Sequence, residues 1–434
     1  MKPVQTDIPV YEGQEIDTFL KKLESGRTRI PPEVQNAVRN ILDGVRERGD
    51  EALFDCTREF DRVDIRRIGL KVGRSEMDRA VRAAPKSFLN ILEEAASNIR
   101  RFHEKDRPRS WMEWEDDGVV LGKRTTPIDR VGIYVPGGRA AYPSSLLMAG
   151  VPAQVAEVRE IVLVSPPDPE GKVHPSILCA ASLLGIREMY RIGGAQAVGA
   201  LAFGTKTVRA VDKIVGPGNA YVAEAKRQVY GTVGIDTVAG PSEVVLLADE
   251  SADPVFAAAD LLAQAEHDPS ASSICVTHSK KTAAGIRKEV RKQAVGLGRG
   301  IVLHASLSNW GGILLTKSIE ESVDLINRLA PEHLGLQVAN PWGVLGGIRH
   351  AGAVFMGLYA PETVGDYWAG PNHILPTNRA ARFSSPLGTA DFTKQSSIVH
   401  YTKNGLKRNG RKIIAFARTE GLDGHAEAVR RRIE

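Results

Sequence analysis

Gln264 and His267 lie three residues apart in 261-LLAQAEHDPS-270. Residues so spaced share a helix face, so an amide oxygen and an imidazole nitrogen point the same way, a pairing able to hold a divalent metal. A lone Gln-x-x-His is a weak pattern, and an ordinary helix end accounts for it more readily. Glu332 and His333 are adjacent in 328-RLAPEHLGL-336. A carboxylate beside an imidazole offers two proton acceptors with reference pKa values of about 4.3 and about 6.5. That difference suits two distinct transfers, one from an alcohol and one from water, although such pairs also occur on plain surfaces. The segment 362-ETVGDYWAGPNHILPT-377 sets Asp366, Trp368 and His373 among Gly and Pro, a loop composition common at sites. Farther on, 418-RTEGLDGHAEAV-429 places Glu420 and His425 at a glycine turn. Gln264, His267, Asp366 and His425 together offer two imidazoles, a carboxylate and an amide oxygen. That set suits zinc, with positions left for a substrate, but spacing alone does not bring the four together.

The elements around these residues read as α/β. Asp253 caps and Pro254 opens a helix that Pro269 stops, so a helix is expected over 253–268. Residues 1–30 are polar and irregular, and residues 31–101 mainly helical. Val34, Val38, Ile41, Leu42 and Val45 recur at helical spacing before Gly49. Ser75 is expected to start a capping box, and a further helix runs from about Ser87 to His103. Trp111 and Trp114 read as packing and hairpin residues. From residue 130 three units read as apolar strand, glycine turn and helix: 131-VGIYVPGG-138, 188-EMYRIGGAQAVGALAF-203 and 213-KIVGPGNAYVAEAKRQV-229, with 160-EIVLVS-165 between the first two. Such alternation predicts a parallel sheet with helices on its faces, and ligands beyond the carboxyl ends of its strands. A second alternation runs from the strand Val244–Leu247 through strands at 273–279, 312–317, 334–338 and 351–357. The cleft is therefore expected between two doubly wound, incomplete Rossmann-like lobes, with small extensions at each terminus.

No GxGxxG follows a strand, and the lysine in 199-GALAFGTKT-207 falls one place late for a phosphate loop. Tyr134, Gln196 and Asn219 are the polar groups best placed at the three strand ends; contact with a dinucleotide and simple turn capping are equally open for them. Ser242, in the tight turn before Val244, either binds ligand or closes that turn. The excess of 57 basic over 52 acidic residues is mild and gathers in 403-KNGLKRNGRK-412 and 430-RRR-432 without interleaved aromatics, so a solvated surface is expected and not a nucleic-acid interface. Cys56, Cys179 and Cys275 are far apart and read as free thiols. With neither a signal-like N-terminus nor a long apolar run, no membrane role and a cytoplasmic location are expected. Taken alone, the residues reach a two-lobed α/β enzyme and leave its need for a metal open.

Eight segments in register carry a resemblance: 131-VGIYVPGGRAAYPSS-145, 193-GGAQAVGALAFGT-205, 214-IVGPGNAYVAEAK-226, 235-IDTVAGPSE-243, 261-LLAQAEHDP-269, 329-LAPEHL-334, 365-GDYWAGPNHILPT-377 and 420-EGLDGHAEAV-429. They resemble the histidinol dehydrogenases from about residue 30 to the end. The resemblance implies one zinc ion per subunit on Gln264, His267, Asp366 and His425. It implies Glu332 and His333 as proton acceptors, and substrate contacts from Ser242, Gln264, His267, His333, Asp366, Glu420 and His425, with His373 as a looser addition. It implies NAD contacts from Tyr134, Gln196 and Asn219. The activity implied is a four-electron oxidation of L-histidinol through L-histidinal to L-histidine, closing histidine biosynthesis, by a homodimer with exchanged C-terminal segments. The expected division is an N-terminal extension (1–30), a metal and catalytic lobe (31–129 plus 243–380), an NAD-contacting lobe (130–242) and a swapped segment (381–434). The rivals are a dehydrogenase of this fold acting on another alcohol, and a zinc hydrolase using Glu332 to activate water.

Overall fold

The computed structural model describes residues 6–27, 30–137 and 141–434; Gly138 to Ala140, in the first expected glycine turn, lie outside the described residues. Its first sheet is wholly parallel. The strands run, edge to edge, Glu188–Tyr190, Glu160–Val164, Arg130–Tyr134, Lys213–Val215 and Gly234–Ile235. In chain order this is 3-2-1-4-5, the order of a Rossmann sheet short of its last strand. Side chains alternate between two buried layers, as strand geometry requires. Val131, Ile133 and Leu163 join one core and Tyr134, Val162 and Val164 the other.

The second sheet repeats the pattern with Glu243–Ala248, Ser272–Thr277, Gly312–Leu315, His333–Gln337 and Ala353–Met356, again parallel and again 3-2-1-4-5. A sixth strand, Val10–Glu12, pairs parallel with Gly312–Leu315, and the helix after it buries Ile16, Phe19 and Leu20 on the same sheet. The expected N-terminal extension is thus partly an edge strand of the second lobe. Residues 31–103 also depart from expectation. Val38, Leu42 and Val45 pack with Tyr134 and Val164, while Leu92 and Ile99 pack with Val131 and Ile133. These helices belong to the first lobe and not to the lobe of 243–380. Helical spacing reveals an apolar face but not which sheet will cover it. The cap of the Arg74–Ala83 helix also sits two residues earlier than expected: Glu76 Oε1 accepts from the amide of Gly73, at 3.1 Å.

Trp111–Trp114 and Val120–Pro127 form the expected hairpin, and Thr393–His400 adds antiparallel to it. The helices Lys403–Thr419 and Asp423–Ile433 follow and pack on each other, Gly410 facing Ile433 and Val429. Between strand Ala353–Met356 and this tail, residues 361–378 tie the lobes together. Asn372 Nδ2 donates to the carbonyl of Met148 at 2.6 Å, and Thr377 Oγ1 accepts from the amide of Gly240 at 2.6 Å. Among the described residues no helix is long and apolar enough to cross a membrane.

Candidate active site

Glu332 and His333 lie at the amino end of their strand, next to the amino end of Glu243–Ala248. Both side chains clasp one residue. Glu332 Oε2 accepts from the amide of Glu243 at 2.9 Å, and His333 Nδ1 lies 3.0 Å from the carbonyl oxygen of Glu243. A carbonyl only accepts, so Nδ1 carries the proton and Nε2 is left as an acceptor. Nε2 is buried and has no hydrogen-bond partner among the described residues. Burial pushes the imidazole pKa down, against the opposing pull of Asp366 and the bond to Glu243, so His333 is neutral and ready to take a proton. This cluster occupies the amino edge of the second sheet, where Glu332 and His333 lead into their strand as the sequence order implies. The helix after Glu243–Ala248 runs back across the sheet and delivers its last turn to that edge.

That helix is Pro254–Ala265, its start capped by Asp253, whose side chain accepts from the amide of Val255 at 2.8 Å. It ends three residues short of expectation, so Gln264 is in its last turn and His267 just beyond it. Gln264 is buried with Oε1 unpartnered among the described residues. His267 is exposed, and its Nδ1 bonds the carbonyl oxygen of Ala263 at 3.0 Å, so Nε2 is the nitrogen left as an acceptor. Asp366 stands near: it acts electrostatically on both His333 and His373, as does His267. His373 Nδ1 donates to the Asp366 carbonyl at 3.0 Å, and its Nε2 lies 3.2 Å from Ser145 Oγ in the first lobe. An orphaned amide oxygen, an imidazole with a fixed tautomer and a carboxylate fit a divalent metal. Among the described residues, however, no three His, Cys, Asp or Glu side chains converge as a metal cage.

The glycine turns of the first sheet stand at its carboxyl ends. Tyr134 is buried and its hydroxyl accepts from the amide of Gly194 at 3.1 Å, with its pKa pushed up to about 12 by burial. Asn219 Oδ1 caps the helix Ala220–Val229, accepting from Tyr221 and Val222 at 3.0 and 3.1 Å. Both residues thus have the turn-holding role. Gln196 is buried with Oε1 unpartnered among the described residues. Gly216 has φ +116°, and a Cβ there would lie 2.1 Å from the carbonyl oxygen of Tyr134, so only glycine fits at this switch point between adjacent strands. Asp236 Oδ2 accepts from the Gly216 amide at 2.8 Å, and Lys226 Nζ, ion-paired with Asp236, donates to the Gly216 carbonyl at 3.1 Å.

A family model described as histidinol dehydrogenase matches residues 25–433. The chain belongs to the histidinol dehydrogenase family. It is 52% identical over 400 residues to a histidinol dehydrogenase of Halalkalibacterium halodurans, covering 92% of this chain and 94% of that one. A histidinol dehydrogenase of Geobacillus kaustophilus is 51% identical over 414 residues, covering 95% of this chain and 96% of that one. The crystal structure of histidinol dehydrogenase from Elizabethkingia anophelis matches with a TM-score of 0.94 at 34% identity, covering 99% of each chain.

Within this histidinol dehydrogenase fold the remaining site residues divide. Ser242 leads into the Glu243–Ala248 strand, where its carbonyl accepts from the amide of Ser272 at 3.0 Å. Glu420 and His425 are exposed at the junction of the two tail helices. Among the described residues, neither is joined to the 264–373 cluster by a recorded hydrogen bond or ion pair. Sequence reasoning missed Glu362. Its carboxyl is buried, its Oε2 lies 4.0 Å from His333 Nδ1, and neither oxygen has a hydrogen-bond partner among the described residues. An acidic residue in a helix's first turn is commonplace, so only its burial marks it out.

Proposed function

We propose that this chain oxidises L-histidinol through L-histidinal to L-histidine, removing four electrons with two NAD in turn. The observation that carries the reading is the clasp of Glu332 and His333 on Glu243, which presents a neutral buried imidazole beside a carboxylate. In the first half His333 Nε2 takes the hydroxyl proton of the alcohol. In the second, Glu332 takes a proton from the water that adds to the aldehyde carbon. NAD, when bound, supplies the hydride acceptor for each half; Gln196, with the turns held by Tyr134 and Asn219, would hold it. Zinc, when bound, orients the substrate through its imidazole and amine nitrogens. Gln264, His267 and Asp366 would hold the metal, with His425 of a second copy.

A homodimer with exchanged C-terminal segments accounts for the exposed Glu420 and His425: each tail completes the neighbour's site, with Glu420 and Ser242 contacting substrate. Exposed Trp114, Val399 and Phe416 on the tail and its hairpin give such an assembly apolar surface to cover. The test is kcat/KM for histidinol with NAD against amino alcohols lacking the imidazole. A strong preference for histidinol, with histidine as product, supports the reading; preference for an unrelated alcohol, or turnover without a nucleotide, overturns it.

A further inference from the structure

We propose that Glu243 is a positioning residue for both proton acceptors: its side chain, pinned by the segment 377–379, fixes the one residue whose backbone holds Glu332 and His333. This rests on the reading of those two as the acceptors. Glu243 is the first residue of its strand, and the next residue, Val244, is the register partner of His333. The backbone groups of Glu243 that face the His333–Gln337 strand are taken up by side chains and not by ladder bonds. Its N–H goes to Glu332 Oε2 at 2.9 Å and its carbonyl to His333 Nδ1 at 3.0 Å. On the other side the Ser242 carbonyl accepts from the Ser272 amide at 3.0 Å.

The side chain of Glu243 is held as well. It is buried, and its Oε1 accepts from the amide of Asn378 at 2.9 Å. The same segment grips the loop before the strand: Thr377 Oγ1 accepts from the Gly240 amide at 2.6 Å, and the Asn378 side chain fills the space over Gly240 that a Cβ would need. Asn378 and Arg379 both adopt left-handed backbone, with φ +52° and +64°, a conformation that surrounding contacts must maintain in residues bearing a Cβ. Arg379 adds such a contact through its ion pair with Glu24 on the Gln14–Arg27 helix. Thr377 and Arg379 thus anchor the segment without Glu243, so the bond from Asn378 serves the residue beneath it. A cavity of about 40 Å³, bordered by Glu243, Leu20, Arg328 and Arg379, gives an unpinned side chain room to swing. Such a swing turns the backbone that holds both acceptors, and a misplacement on the order of 1 Å at reacting groups costs about 100-fold.

The experiment compares Glu243→Gln, which keeps the reach to Asn378 without the charge, with Glu243→Asp, which keeps the charge but falls short, and with Glu243→Ala. Histidinol and histidinal are assayed separately with NAD, and nitrogen NMR follows the His333 ring. The Asp and Ala variants are expected to lose about 10- to 100-fold in kcat in both half-reactions, because one residue carries both acceptors, while KM for NAD stays within about twofold. Their imidazole should leave the Nδ1–H tautomer of the parent for a mixture of the two tautomers. The Gln variant should keep the parent's tautomer and stay within about threefold of its kcat. Parent-like kcat in Asp or Ala, a loss confined to one half-reaction, or a Gln variant as slow as Asp overturns the proposal. So does an unmoved tautomer in a slowed variant. Should the Ala variant fail to fold, the Gln and Asp pair decides. A parent inactive on histidinol would overturn the functional reading instead, and the tautomer in the Asp variant would still test whether Glu243 fixes the ring.

Discussion

Replacing Lys226 with methionine tests how the Gly216 turn, proposed to hold NAD, is itself held. The side chains of Lys226 and Asp236 are 2% and 3% exposed. Between them they bind both backbone groups of Gly216. Methionine fills most of the volume but strands a carboxylate in the interior. Breaking a buried pair this way costs about 3–5 kcal/mol, whereas replacing both partners by apolar residues is often close to neutral. For a cooperative unit the size of the first lobe, roughly 2–4 °C is lost per kcal/mol, so Lys226→Met is expected to lower the melting temperature by about 6–20 °C. The double variant Lys226→Met/Asp236→Leu should regain much of that loss. It leaves the Gly216 amide without its acceptor, so the turn leading to Asn219 loosens. KM for NAD should then rise about three- to tenfold, equivalent to roughly 0.7–1.4 kcal/mol, while KM for histidinol stays nearly constant. Calorimetry and steady-state kinetics on both variants decide the matter. A single variant melting within about 2 °C of the parent, the shift expected for a loss of only about 1 kcal/mol, together with an unchanged KM for NAD in the double variant, refutes the argument.

Glu332→Gln should spare the alcohol half-reaction more than the aldehyde half, because only the latter needs activated water; equal loss in separate assays on histidinol and histidinal would count against the assignment. His425→Ala should lose its zinc by metal analysis, and zinc retained at the parent's stoichiometry removes that residue from the ligand set. Mixing inactive His425→Ala with inactive Glu332→Gln under subunit exchange should restore activity, since one site of a mixed dimer pairs an intact core with an intact tail; no recovery would show that tails are not exchanged. In the first lobe, burial raises the pKa of Glu76, but the Arg191 guanidinium at 2.6 Å and the Gly73 amide outweigh it and hold the carboxyl low. Its stabilisation is complete above the unfolded value of about 4.3 and fades as pH falls through the folded value. Glu76→Gln should therefore show a smaller fall in melting temperature on acidification, and parallel curves would contradict this.

The parts of the fold readable from sequence were those with local causes. Asp253 and Pro254 announce a helix start, and apolar runs such as 244–247 announce buried strands. The strand Thr393–His400 was not readable: its exposed polar residues form a strand because Val120–Pro127 lies beside them. Val10–Glu12 is likewise a strand only because Gly312–Leu315 offers an edge. The helices over 32–103 showed their apolar faces but not their partner sheet. In the site, Gln264, His267 and Asp366 were recognisable by type, and the structure brings His267 and Asp366 within electrostatic reach of His333. Glu362 left no sequence signal, because its meaning lies wholly in its burial beside His333. His425 shows the converse: its type is suggestive, but its place in one chain is an exposed helix junction.

The central claim is that one site carries histidinol through two successive oxidations. Its most direct measurement is the amount of NADH formed per histidinol consumed at completion, with limiting substrate and excess NAD. The account predicts two NADH per histidinol, with histidine as the sole product. One NADH per histidinol with free histidinal accumulating, or no NADH at all, would contradict it.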